Sequence, residues 1–324
     1  MTPIHPKLTL ATNFHDMGQY SDAIGWDLDF RQIDPGPLNA SVKAVTMAYG
    51  MILNVGFNRK FHQVGCAPEG LLTFGIPSAG VEEFLWCSAR ACGGELLNFN
   101  QDGGFEGTSP AGFNGYTFSF DADTLQTFAV SIGFESTLEN LVRRNSHWYS
   151  PETVQLSHRL DRLFSAFDHV GTDVLSLNAE MLNEEIATVL LETICTESKR
   201  GQAVSSGSGH IVLRKAMSIL MDPECLPITI AQLCKEVPTS QSTLKRLFLA
   251  EFGVTPKTYI RARCLSGARD ELSRAQPGIF IVDVANRWGF WHMGQFAHDY
   301  RSMFSELPSE TLRAKSKSSV SAVL

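Results

Sequence analysis

The sequence lacks any long apolar run. The longest candidate for a membrane span, Ala44 to Phe57, falls short of the roughly 18 residues that a span needs and contains the polar residues Thr46 and Asn54. The first residues, Met1 to Pro6, also lack the basic and apolar regions of a secretory signal peptide. These absences predict a chain that has no membrane partner and stays in the cytoplasm.

Cysteine is scarce as well. Seven cysteines are spread over 324 residues without a C-x-x-C pair, which fits neither a disulfide scaffold nor a thiolate zinc site. The G-x-S-x-G, P-loop and dinucleotide-binding fingerprints are missing too. We therefore expect a protein that is not an enzyme, with no catalytic residues, no metal and no cofactor.

Charge is divided unevenly along the chain. The segment Gly201 to Gly209 combines small and polar residues without periodicity, which is typical of a linker. Residues 1–209 hold 12 Lys and Arg against 24 Asp and Glu, a net charge of −12, whereas residues 210–324 hold 15 against 10, a net charge of +5. The total of −7 therefore conceals a basic C-terminal part, as expected when one end of a chain faces a polyanion.

The acidic part contains two regions with different sequence patterns. Between residues 28 and 120, short apolar runs alternate with Gly, Pro and Asn turns, which favours an antiparallel barrel or sandwich. Between residues 121 and 200, apolar residues recur every three or four positions, which predicts helices. One helix, Ala179 to Thr196, carries a stripe that could be a dimer seam or could pack on its own barrel. The stripe consists of Met181, Leu182, Ile186, Val189, Leu190, Thr193 and Ile194.

The basic part begins with a pattern typical of a helix-turn-helix unit. A short helix is followed by a turn at Pro238 and Thr239, and a second helix starts after the N-cap Ser240 and ends at Gly253. The residues expected to be buried are Ile230, Leu233, Val237, Leu244, Phe248 and Phe252.

The same plan recurs some fifty positions later, which indicates an internal duplication. Gly289 makes the turn of this second unit, and a helix from Pro256 to about Ser273 joins the two units. That helix would span roughly 27 Å, which suits two recognition helices about 34 Å apart in successive major-groove turns. The residues expected to face inward are Val282, Ala285, Trp288, Phe290, Phe296, Tyr300 and Phe304.

Residues 210–313 resemble the DNA-binding domain of AraC/XylS-type bacterial transcription regulators. Two segments of the second unit, Arg287–Arg301 and Phe304–Arg313, carry the most specific part of the resemblance, and Ser240–Phe248 with Gly253–Tyr259 carry the rest. Two positions depart from the family pattern: Pro238 stands where Gly is frequent, and Leu249 stands where a basic residue is common.

The resemblance implies that double-stranded operator DNA is bound by both recognition helices. The residues it implies for base readout are Gln241, Ser242, Lys245 and Arg246 in the first helix and His292, Met293, Gly294, Ala297 and His298 in the second. The residues it implies for phosphate contact are Lys257, Arg261, Arg263, Arg287 and Arg301. Because Lys and Arg donate to guanine whereas Met and Ala touch only a thymine methyl, we expect more polar readout from the first helix. The polar residues among them could also simply solvate their helices.

The acidic part resembles the cupin-like domain that in such regulators binds a small effector or holds a dimer. Enzymatic cupins hold a metal with a His-x-His pair, and here His62 stands alone in the strand region. Five aromatic residues could line an effector pocket or fill a small barrel: Phe57, Phe74, Phe84, Trp86 and Phe99. Three cysteines, Cys66, Cys87 and Cys92, could form a redox sensor or serve as buried apolar residues.

Together these observations predict an α+β chain. Residues 1–200 form an acidic regulatory and dimerisation domain with a cupin-like antiparallel barrel or sandwich followed by helices, 201–209 are a linker, 210–313 form the all-α DNA-binding domain, and 314–324 are a flexible tail. The predicted function is a dimeric, sequence-specific transcription regulator, an activator, with RNA polymerase and a small effector as further partners. The alternatives are a cupin-type or repair-type enzyme that uses the helical domain for delivery to DNA, and an architectural DNA-binding protein that needs no ligand.

Overall fold

The computed structural model describes residues 7–47, 50–87, 89–99, 104–134, 138, 147–170, 179–200, 208–275 and 278–318. The chain divides into two compact units, Met1–Phe30 with Leu38–Val204, and Arg31–Pro37 with Ser205–Leu324. Antiparallel strands dominate the first unit and helices the second, so the predicted α+β class is confirmed. Within the described ranges no helix has the length and hydropathy of a membrane span.

Two antiparallel sheets form the first part of the chain. The strands are β1 (Lys7–Phe14), β2 (Asp27–Gln32), β3 (Ala40–Met47), β4 (Gly50–Phe57), β5 (Phe61–Cys66), β6 (Leu71–Pro77), β7 (Phe84–Trp86), β8 (Ala89–Ala91), β9 (Leu96–Asn98), β10 (Phe105–Ser109), β11 (Phe113–Asp121) and β12 (His147–Trp148). One sheet has the order β1-β3-β4-β11-β6-β9-β12 and the other the order β2-β5-β10-β7-β8. Aromatic side chains fill the space between the sheets: the rings of Phe57 and Phe61 lie 5.8 Å apart, and Trp86 stacks on Phe105 at 5.0 Å.

The strand-rich part starts earlier than the predicted residue 28. Strand β1 pairs with β3, and helix α1 (Met17–Ile24) follows it. Local signals fix this helix: the Asp16 carboxylate accepts from the backbone N–H of Gln19 at 3.1 Å, and Gly25 ends the helix at a φ of 70°.

Among its described residues the first unit also contains helices α2 (Ala122–Ser131), α3 (Pro151–Val170) and α4 (Ala179–Arg200). The apolar stripe of α4 packs on its own domain, because Ile186, Leu190 and Ile194 share a core cluster with Phe118 and Trp148 of the larger sheet. These three residues are at most 1% exposed, so they are not free to form a dimer seam.

The second unit contains seven α-helices among its described residues: α5 (Ser208–Met221), α6 (Ile230–Glu236), α7 (Gln241–Phe252), α8 (Pro256–Arg274), α9 (Ile281–Arg287), α10 (Met293–Phe304) and α11 (Pro308–Ser318). Two of them extend into segments predicted to be irregular. Helix α5 already includes Ser208 and Gly209 of the predicted linker, whose residues 201–207 lie outside the described residues. Helix α11 starts with a proline, and the Glu310 carboxylate accepts a 2.6 Å hydrogen bond from Leu307 N. The helix continues to Ser318, into the predicted tail, whose residues 319–324 lie outside the described residues.

Candidate DNA interface

Helix α7 presents a polar face and buries an apolar one. The Ser240 hydroxyl accepts from the backbone N–H of Thr243 at 3.1 Å, and Gly253 ends the helix at a φ of 69°, so both predicted caps are confirmed. The buried face consists of Leu244, Phe248 and Phe252, and the four predicted base readers Gln241, Ser242, Lys245 and Arg246 are exposed on the other side. The structure therefore brings these four side chains together on one helix surface.

Helix α6 is the scaffold on which α7 rests. Thr229 and Gln232 form a capping box that starts the helix, with the Gln232 carboxamide oxygen accepting from Thr229 N at 2.9 Å. Leu233 and Val237 are buried in the same cluster as Leu244, whereas Ile230 is only partly buried. The predicted first unit is thus one packed helix pair.

Helix α10 repeats the frame of α7 at an offset of 52 residues. The N-caps Ser240 and His292 are 52 positions apart, as are the C-caps Gly253 and Ser305, both in the left-handed conformation. In this second frame Phe296, Tyr300 and Met303 are buried. Of the predicted readers His292, Gly294 and His298 are exposed, while Met293 and Ala297 are partly buried.

The inward face of α9 differs from the prediction at one position. Val282 is 43% exposed, and Val284 is buried beside Ala285 instead. The helical period explains the difference, because residues 281, 284, 285 and 288 share one face and residue 282 lies off it. Trp288 does point inward: it packs against the cores of both helix-turn-helix units, and its indole N–H donates to the Glu271 carboxylate at 2.9 Å.

Helix α8 joins the two cores. Its N-terminal half places Tyr259 and Ile260 in the core of the first unit, and its C-terminal half places Leu265 and Leu272 in the core of the second. Gly267, in the C-terminal half, lies against the Trp288 ring: an added Cβ would stand 2.1 Å from Cη2 of that indole. The glycine therefore sets how closely α8 and Trp288 pack.

The predicted phosphate contacts fall into two groups. Lys257 and Arg301 are exposed. Arg261 forms an ion pair with Asp299, and Arg287 forms one with Glu271, although both guanidinium side chains remain about half exposed, at 41% and 51%. All four side chains can therefore reach solvent, two of them from an intramolecular ion pair.

The prediction that Arg263 meets a phosphate is wrong. This residue is 3% exposed, and its guanidinium donates to two backbone carbonyls at the end of α5, Leu220 O at 3.0 Å and Met221 O at 3.1 Å. The last carbonyls of a helix lack partners within that helix, and a cation there also favours the negative end of the helix dipole. Arg263 thus caps α5 from inside the domain.

Replacing Arg263 by Met is expected to destabilise the protein by about 2–4 kcal/mol, because two charge-assisted hydrogen bonds are lost and the buried Leu220 and partly buried Met221 carbonyls lose this donor. Urea unfolding measures this loss. The salt dependence of DNA binding should stay unchanged in the folded variant. A normal stability together with a shallower salt dependence would instead restore the phosphate role.

Sequence reasoning missed Trp291 and Gln295, which lie at the start of α10. Trp291 is 73% exposed, the most exposed large apolar side chain among the described residues. Gln295 is also exposed, and its amide donates to the Asp299 carboxylate at 2.8 Å. Their distance from the N-cap could have identified them in the sequence, since Trp291 directly precedes His292 and Gln295 lies on the first turn of the helix.

The first unit holds a small aromatic chamber. Of the five aromatic residues singled out from the sequence, Phe57, Phe84, Trp86 and Phe99 line a cavity of about 50 Å³, whereas Phe74 belongs to the core around Trp148. Two polar groups in its lining, Trp26 Nε1 and Thr117 Oγ1, are buried and find no hydrogen-bond partner in the described part of the chain. An apolar cavity of roughly 150 Å³ accommodates benzene, so this chamber must widen to hold a molecule of that size.

Of the three cysteines singled out from the sequence, Cys66 and Cys92 are exposed and Cys87 is partly buried. Burial raises the pKa of the Cys87 thiol to about 11, and burial together with the Glu95 carboxylate raises that of Cys92 to about 11, so both remain protonated near neutral pH. The imidazole of His62 is buried, with Nε2 at 2.9 Å from a Glu106 carboxylate oxygen. Across the described ranges no group of three or more His, Cys, Asp or Glu residues is arranged to hold a metal ion.

Two helix-turn-helix units in one frame, joined by a helix that enters both cores, define a tandem helix-turn-helix DNA-binding protein. Residues 233–314 match the family described as a helix-turn-helix domain. A stretch of 139 residues is 36% identical to the XylDLEGF operon transcriptional activator 2 of Pseudomonas putida and covers 43% of this chain and 87% of that protein. The chain therefore belongs to the AraC/XylS-type family, and it is a DNA-binding transcription regulator.

Other similarities extend over different shares of the chain. The XylDLEGF operon transcriptional activator 3 of Pseudomonas putida is 31% identical over 182 residues, which are 52% of this chain and 54% of that protein. Among solved structures, the AraC-like transcriptional activator CuxR aligns with a TM-score of 0.43 and 14% identity over 81% of this chain and 96% of that chain.

Proposed function

We propose that this regulator activates transcription from a specific operator by inserting α7 and α10 into successive major-groove turns. The observation that carries the proposal is the exposed set of four polar residues at the N-terminal end of α7, in the frame that α10 repeats 52 residues later. In helix-turn-helix proteins this end of the second helix contacts the base edges. Lys245 and Arg246 are the side chains that can donate to guanine O6 and N7.

Activation, rather than repression, is the direction that the names of the relatives suggest, since both Pseudomonas proteins are called operon transcriptional activators. An activator acts through RNA polymerase, which we propose as the protein partner. A regulator of bacterial operons works where the chromosome lies, so we place it in the cytoplasm. Chromatin immunoprecipitation with sequencing, combined with transcript levels in a deletion strain, tests the direction: bound operons should lose expression.

We further propose that the first unit holds a dimer and senses an effector. The aromatic chamber supports the second role, because the unpartnered donor Trp26 Nε1 and the hydroxyl of Thr117 could bind a polar group on an otherwise apolar molecule. Sedimentation velocity reports the mass of the assembly. A thermal-shift screen against metabolites reports binding to the folded state.

Operator binding is expected to weaken steeply as salt rises, because each phosphate contact releases counterions and adds about −0.9 to the slope of log K against log salt. Arg301→Ala should make the slope shallower by about one contact while leaving sequence preference intact. The matched control is Lys215→Ala on α5, which removes the same charge from an exposed site outside the two recognition helices. An identical slope for wild type and Arg301→Ala would remove Arg301 from the interface.

A further inference from the structure

The N-terminal end of α10 combines a bulky ring with an empty space. Trp291 projects its indole into solvent at 73% exposure, one residue before the N-cap His292. Three residues later Gly294 is exposed, and a Cβ built on it would meet nothing within 4 Å. The fold of the free protein therefore requires neither an indole at position 291 nor a glycine at position 294.

The corresponding end of α7 has a different chemistry. At the offset of 52 residues, Thr239 corresponds to Trp291 and Ser242 to Gly294, so hydroxyl groups stand where α10 has an indole and a bare backbone. The two recognition helices thus share the positions of their caps and an apolar buried face, but not the surface they present.

The surroundings of Trp291 indicate that its partner is a polyanion. Trp291 forms one wall of a cleft of about 330 Å³ whose lining includes the cations Lys257 and Arg261. On α10 itself the exposed positions after Gly294 include Arg301. An exposed apolar ring in a cleft that also holds the exposed Lys257 and the half-exposed Arg261, itself paired with Asp299, fits a ligand that has an apolar surface between phosphates. In the major groove that surface is the 5-methyl group of thymine.

We propose that Trp291 packs against a thymine methyl in the half of the operator bound by α10, and that Gly294 lets the duplex approach the helix closely. This inference rests on the proposed docking of α10 in the major groove. It adds to the second unit a residue that acts by fit to an apolar surface, beside the polar readers that both units carry.

The test uses the full-length protein and an operator selected from random duplex DNA. Each thymine is replaced in turn by deoxyuridine, which removes the methyl group and keeps the pairing edge. For wild type, one or two replacements in one half of the operator should weaken binding about fivefold to tenfold, within the range of a base-specific contact. Trp291→Ala should lose a similar factor on the unmodified operator and be insensitive to those same replacements.

Gly294→Ser gives α10 the side chain that Ser242 has at the corresponding position of α7. This variant should bind the operator more weakly without a lower midpoint of thermal unfolding. Ile211→Ala is the control, because Ile211 is an exposed apolar residue of α5 and should bind like wild type. Indifference of wild type to every deoxyuridine, or wild-type binding by Trp291→Ala, would overturn the inference. The proposed function would still stand after either result if the double variant Lys245→Ala with Arg246→Ala lost its preference for the operator as expected. Failure to select any operator would refute the proposed function itself.

Discussion

Replacing Lys245 and Arg246 together by alanine is expected to abolish most of the preference for the operator. Both side chains are exposed on the reading face of α7, and each specific contact of this kind contributes about 1–3 kcal/mol, so about a hundredfold loss or more should follow. Binding to random DNA should weaken far less, because it depends on total charge rather than on base contacts. Fluorescence anisotropy on operator and scrambled duplexes at one salt concentration measures both effects.

The matched control for this variant is available in the same domain. Arg214 and Lys215 form an adjacent exposed basic pair on α5, and their double replacement by alanine removes the same charge. This control should weaken both duplexes by the same modest factor. If the Lys245 and Arg246 variant also lost equally on both duplexes, α7 would be a phosphate-binding surface and the assignment of these two residues to base readout would fail.

Gly267→Ala is expected to destabilise the second unit by about 3 kcal/mol or more, because overpacking at a rigid contact usually costs 1–3 kcal/mol and the new Cβ would lie 2.1 Å from the Trp288 ring. The ring cannot easily move, since its N–H donates to Glu271 and it packs against both cores. Thermal unfolding followed by helical circular dichroism should show a midpoint lowered by about 10 °C.

The variant Gly294→Ala is the control that distinguishes the effect of the steric clash from the effect of helix propensity. Gly294 is also helical but open, so alanine there should raise stability by up to about 1 kcal/mol. Adding Trp288→Phe to Gly267→Ala should recover part of the loss, because the clashing carbons Cη2, Cζ2 and Cζ3 belong to the larger indole ring. Unchanged stability of Gly267→Ala would mean that α8 and Trp288 can separate without cost.

What could be predicted from the sequence was what local chemistry decides. The N-cap Ser240, the stop at Gly253 and the start of α8 at Pro256 all follow from interactions within a few residues, and all three are confirmed. The antiparallel strands and the tandem helix pairs follow from periodicity for the same reason. Their precise pairing order does not, because register depends on partners far along the chain.

The errors have the opposite origin. Arg263 is placed by carbonyls of α5 that lie 42 and 43 residues earlier in the chain, and no local pattern distinguishes it from the half-exposed Arg261 two positions before. The family resemblance assigned Arg263 to a phosphate contact on the basis of its charge, whereas the packing of the domain decides whether the side chain is buried. Trp291 was missed for a related reason: aromatic residues are usually buried, and only the structure reveals one that is not.

The repeated frame of α7 and α10 gives the bound protein a direction. The two helices begin and end at positions that correspond at an offset of 52 residues, yet one presents Lys245 and Arg246 and the other presents Ala297 and His298 at the same places. In the proposed docking, a single copy of the chain therefore meets a site whose two halves differ, and it can bind that site in one sense only. A chain with two identical units would bind a symmetric site equally well in both orientations. The difference between the two units is therefore what orients this chain on its operator.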